Sequence, residues 1–75
     1  MRWQNYITLN PDVLVGKPII KGTRLSVEFI LDLIAQGWPE DEILRNYHLQ
    51  REQVRACAAC ARARLSEEKV FSVAT

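Results

Sequence analysis

Cys57 and Cys60, three positions apart, are the residues of this 75-residue chain with the most reactive chemistry. A Cys-x-x-Cys pair serves redox exchange where a helix N-terminus lowers a thiol pKa. It serves zinc where two further ligands complete a tetrahedron. Here the pair falls several residues inside an alanine-rich helical segment, and His48 is the sole histidine. A zinc site would need a second copy of the chain. The pair therefore reads as buried structural thiols that behave as small hydrophobes, and no metal or cofactor is expected. Catalysis is not expected either. No nucleophile stands beside His48, Glu40-Asp41-Glu42 reads as charge at a helix N-terminus, and Glu28 and Asp32 read as a solvated stripe. Enzymatic chemistry needs a nucleophile, a base and an orienting group in one constellation.

The cations point elsewhere. Arg51, Arg55 and Arg62 fall at i, i+4 and i+11, within about 40° of one another on a helix. Gln53, near the start of that helix, has the chemistry to read a base edge. Lys17, Lys21 and Arg24, upstream, are candidates for flanking phosphates. Such a row on the second helix of a helix-turn-helix is where DNA readers place their recognition residues. The alternative is a solvated face whose arginine stems cover apolar surface. Net charge is only +1, so any attraction to nucleic acid must come from a local patch.

Three helices position these groups. Ile7-Thr8-Leu9 alternates as a strand and ends at the Asn10-Pro11-Asp12 turn. Val13-Leu14-Val15 suits either a strand or a turn packed inward. Gly16-Lys17-Pro18-Ile19-Ile20-Lys21-Gly22-Thr23-Arg24 places two glycines able to take positive φ around a β-branched pair, and reads as turn, strand, turn, strand. The first helix starts at Ser26, a good N-cap, and stops at Gly37. Val27, Ile30, Leu31 and Ile34 form its apolar stripe, and Phe29 and Leu33 widen it to an arc of about 200°, more than one core contact needs. The second helix begins near Pro39, with acids favourable in its first turn. After His48-Leu49-Gln50, the third runs from about Arg51 to Leu65, with Val54, Cys57, Ala58, Ala61 and Leu65 on one face. The expected organisation is a single mainly α domain over 1–65, with a short N-terminal β element, three helices and a helix-turn-helix, and a tail over 66–75. That tail either prolongs the helix through Ser66-Glu67-Glu68 or lies extended.

The Gly16–Arg24 stretch also carries a resemblance. Gly-Lys-Pro, then x-Ile, then Gly-Thr-Arg, before a helix ending in glycine, resembles the prokaryotic family known as domain of unknown function 433. Val27, Leu31, Gly37, Glu42-Ile43, Tyr47, Leu49 and Val54 fit the same pattern, which spans roughly residues 6 to 62. Pro39 departs from it, standing where the family usually has a serine or threonine cap. The resemblance implies a homeodomain-like fold and the role of an antitoxin paired with a PIN-like ribonuclease toxin. PIN-type sites are acidic and bind metal, so an inserted cation that pairs with their carboxylates is the implied lever.

A chain this short buries only about 60% of its unfolded surface, so association is expected to complete its core. Phe29, Leu33, Trp38, Arg62, Arg64, Lys69 and Phe71 are the candidate protein contacts, and Trp3 and Trp38 read as exposed. Partners anticipated are the PIN-like ribonuclease, a second copy in a homodimer, and operator DNA, with a stand-alone DNA-binding regulator as the alternative function. No apolar run approaches the roughly 18 residues that span a bilayer, and Met1–Asn5 lacks a signal peptide's apolar core. No membrane contact and a cytoplasmic location are therefore expected.

Overall fold

The computed structural model of the chain describes residues 2–9 and 16–67. Val13-Leu14-Val15, the Asn10-Pro11-Asp12 turn, Lys69 and Phe71 lie outside those residues. The fold is mainly helical, with three helices and a two-stranded antiparallel sheet near the N-terminus. A 3-10 turn over Trp3–Asn5, which no sequence signal announced, precedes β1 (Ile7–Leu9). β1 pairs with β2 (Pro18–Ile20), setting Ile7 opposite Ile20, Thr8 opposite Ile19 and Leu9 opposite Pro18. Proline at the first position of a strand is tolerated because its missing N–H falls at the end of the ladder. The second strand expected after Gly22 shrinks to a single bridge between Ile19 and Ser26.

The turn after β2 explains much of the Gly-Thr-Arg signature. The Thr23 N–H donates to the Ile20 carbonyl at 3.1 Å, closing a four-residue turn whose third position is Gly22, with φ 79°. A type II turn requires positive φ there. A β-carbon at Gly22 would meet nothing within 4 Å, so the requirement is for the dihedral and not for space. The Thr23 hydroxyl donates to the same Ile20 carbonyl at 2.8 Å and accepts the Leu25 N–H at 3.0 Å. One side chain thus satisfies the backbone on both sides of the turn.

Helix α1 (Val27–Ala35) starts where expected, with the Ser26 hydroxyl accepting the Phe29 N–H at 2.9 Å. It ends in a Schellman reversal. Gly37, at φ 94°, donates to Ile34, and Trp38 donates to Leu33. That reversal corrects the expected stripe. The motif brings the residue after the glycine beside the one at Leu33's position, so Leu33 is buried at 5% exposure and Ile34 is left outside at 43%. Leu33 is therefore core and cannot serve as the interface residue expected of it.

Helix α2 (Glu40–Tyr47) uses Pro39 as an extended N-cap with no side-chain capping bond. Proline is thus one place earlier than expected, and Glu40, Asp41 and Glu42 supply the favourable charge instead. His48 closes the helix in the left-handed region, at φ 55°. Helix α3 (Arg51–Glu67) passes two residues beyond the expected boundary at Leu65. It packs chiefly on α1 and the 3-10 turn. Its buried face is Val54, Ala56, Cys57 and Cys60. Ala58 is exposed and Leu65 is 55% exposed, contrary to the expected face, because the core meets only the N-terminal part of the helix. The core joins these residues to Ile7, Ile20, Val27, Ile30, Leu33, Ile43 and Leu49, with Trp3 and Trp38 half-buried against it rather than exposed. No helix among the described residues is long and apolar enough to cross a membrane.

Candidate functional site

Because α3 turns Val54, Cys57 and Cys60 inward, Arg55, Ala58, Arg62, Leu65 and Ser66 face outward. Between Glu52 and Glu67 that helix carries three arginines, Arg55, Arg62 and Arg64, and no acid. All three are exposed, and none forms an ion pair among the described residues.

The N-terminal end of the same helix is different. Arg51 Nη1 lies 2.6 Å from Glu40 Oε1, and Nη2 lies 3.5 Å from Asp41 Oδ1. Gln53 Oε1 accepts the Gln50 N–H at 2.7 Å. This is the reciprocal half of a capping box, the third helical residue reaching back to the cap. Both residues expected at a reading end are therefore engaged within the fold. For Gln53 the signal was present in the sequence, a glutamine three places after a helix cap.

Of the upstream cations, Lys17 donates to Glu28 Oε1 at 3.1 Å, while Lys21 and Arg24 are exposed on the turn after β2. The structure brings Lys17, Arg62 and Arg64 to one place, a groove between α1 and the C-terminal half of α3. Two shallow basins of about 570 and 460 Å³ share Leu31, Ala61 and Leu65 as their common floor. Arg62 borders the first, and Lys17, Glu28 and Arg64 border the second. Reading the sequence missed this groove, because Ala61 and Leu65 keep the helical spacing of core residues.

On the α1–α2 side, the expected contacts Phe29 and Trp38 meet through Tyr47. Phe29 and Tyr47 stand edge to face, with centroids 5.4 Å apart, and Trp38 lies 6.4 Å from Tyr47. Phe29 keeps 37% of its surface exposed. Glu28 and Asp32 share a shallow basin with it.

Cys57 offers no reactive thiolate at neutral pH. Both cysteines are buried. Burial pushes the Cys57 thiol up to about 12, and neighbouring Cys60 adds to the shift. No cluster of three or more metal-ligating side chains exists among the described residues.

A family model described as "Protein of unknown function (DUF433)" matches residues 7–61. The chain belongs to that family. A solved structure of a DUF433 member from Anabaena variabilis ATCC 29413 is 31% identical, with a TM-score of 0.78. The match covers 85% of this chain and 64% of that one, so the present chain spans less than two thirds of that protein. No curated protein matches.

Proposed function

We propose that this chain is an antitoxin of a two-protein module, and that it binds a PIN-like ribonuclease and blocks its acidic active site. One observation carries the reading: the C-terminal half of α3 presents Arg62 and Arg64, without an ion pair among the described residues, beside an uncovered apolar floor. Guanidinium groups that are unengaged in the free protein are available for bidentate pairing with a partner's carboxylates. The family resemblance supplies the class of partner.

Operator binding through a homeodomain-like helix-turn-helix, formed by α2, the His48-Leu49-Gln50 connector and α3, is the weaker reading. Readers of this kind use the first residues of the second helix. Arg51 and Gln53, which occupy that end, already bond within the fold. Arg55, Arg62 and Arg64, which form no ion pair among the described residues, lie farther along α3, where a protein surface is the better match.

The test is co-purification with the product of the adjacent gene, followed by a ribonuclease assay with and without this chain. Inhibition is expected, and Arg62→Glu with Arg64→Glu should abolish it while the fold persists. A neighbour that neither binds nor is inhibited would remove the reading. Selective retention of upstream DNA over scrambled DNA, in a gel shift, would restore the regulator in its place.

A further inference from the structure

The strip that α1 and α3 leave uncovered is Leu31, Ala61 and Leu65, with exposed Ala58 continuing it along α3. At the angular step of a helix, Arg62 and Arg64 project about 160° apart, on either side of the Ala58–Ala61–Leu65 line. The apolar strip is therefore flanked by a cation on each edge. Lys17 stands across from Arg64, and Glu28, already paired with Lys17, is the one acid among the described residues that line the two basins. Among the described lining residues, three cations against one carboxylate leave a formal +2.

This rim discriminates between occupants. A second copy related by a two-fold axis would lay the same patch against itself, and its cations would face like charges, which is unfavourable across an interface. An acidic occupant meets opposite charge on both edges. The two alanines remove side-chain bulk from the floor, so a helix can lie close and place its anchors at i, i+3 or i+4, and i+7.

We propose that this groove docks an acidic amphipathic helix of a partner protein. Its apolar side rests on Leu31, Ala61 and Leu65, and its carboxylates pair with Arg62, Arg64 and Lys17. The inference deepens the inhibitor reading by naming the surface and the chemistry that meets it, and rests on that reading only for the existence of a protein partner.

The probe is a synthetic peptide of about 18 residues, long enough to be helical alone, with leucines at those anchor spacings and glutamates on both flanks. Its lysine-for-glutamate twin is the control. Fluorescence anisotropy against the full chain should show the glutamate peptide binding at least about tenfold more tightly, a gap of about 1.4 kcal/mol. Leu65→Asp and the double variant Arg62→Glu, Arg64→Glu alter exposed residues. Both should keep the circular dichroism spectrum and weaken the glutamate peptide about tenfold or more. Equal binding of the two peptides, or binding that neither variant moves, overturns the proposal. So does a dimer in light scattering that Leu65→Asp dissolves, since the groove then belongs to a second copy. An affinity raised by Phe71→Asp would assign the groove to the chain's own tail and overturn the proposal as well. The ribonuclease assay separates the two readings. Peptide binding as expected, without ribonuclease inhibition, keeps the groove and removes the inhibitor. Inhibition undiminished by Leu65→Asp, without peptide binding, does the reverse.

Discussion

Residues 16–24 and the outer face of α3 are built from similar material, cations set among small residues, but their polar groups are engaged very differently. In the first region the Thr23 hydroxyl makes two backbone bonds, Gly22 supplies a left-handed dihedral, and Lys17 is paired with Glu28, leaving Lys21 and Arg24 exposed without an ion pair among the described residues. In the second, Arg55, Arg62 and Arg64 have no ionic partner among the described residues. The most diagnostic stretch of the sequence is thus chiefly a folding device, and the surface with unmet chemistry lies in a stretch of alanines and arginines without any motif. A distinctive motif shows where the backbone is constrained. Unengaged charge beside uncovered apolar surface shows where a partner fits.

The contrast breaks if substitutions in the first region spare stability, or those in the second destroy it. The largest loss belongs to Ile20→Ala. Ile20 is fully buried next to the turn, and such truncations cost about 2–5 kcal/mol. That is a large share of a small domain's stability, and the urea midpoint should fall accordingly. Thr23→Val keeps the shape but removes the hydroxyl from the Ile20 carbonyl and the Leu25 N–H. A loss of about 1–3 kcal/mol is expected in the same titration.

The inner face of α3 gives a third, pH-dependent measure. The Cys57 thiol has an ordinary value of 9.0, raised to about 12 in the fold. Between those values the unfolded chain has released a proton that the folded chain keeps, so stability is intact below pH 9.0 and falls as pH rises toward 12. The slope approaches about 1.4 kcal/mol per pH unit. Urea titrations across that window should show it, and Cys57→Ala should flatten it. The smallest effect on stability is expected from Arg62→Glu with Arg64→Glu, within about 0.5 kcal/mol as for most exposed substitutions. A thermal melt that instead collapses would mean the α3 face is part of the fold, and the contrast would be lost.

Local chemistry was the legible part of this fold. Ser26 as cap, Gly37 as left-handed stop, the acidic start of α2 and the Ile7–Leu9 strand each depend on neighbours within a few positions. What escaped depended on tertiary packing. The nine-residue helix α1 is too short for periodicity to fix which of Leu33 and Ile34 turns inward, and the reversal at Gly37 decides it. Along α3, alanines and cysteines are nearly interchangeable in size, so spacing alone could not choose Ala56 and Cys60 over Ala58 and Ala61. The arginine row was visible as a row. The capture of Arg51 by acids at sequence separations of 10 and 11 was not.

That capture also has a mechanical side. α2 is eight residues long, about 12 Å, and Arg51 reaches back along it from the far side of the connector to its opening turn. The side chain works as a guy-line strung beside a short mast, with the left-handed His48 as the bend between the two helices. Its tension is ionic, worth at most about 1 kcal/mol when exposed and less as salt rises. Raising the ionic strength therefore weakens this one tie between the start of α3 and the opening turn of α2, while the buried residues of α3 keep the helix in place.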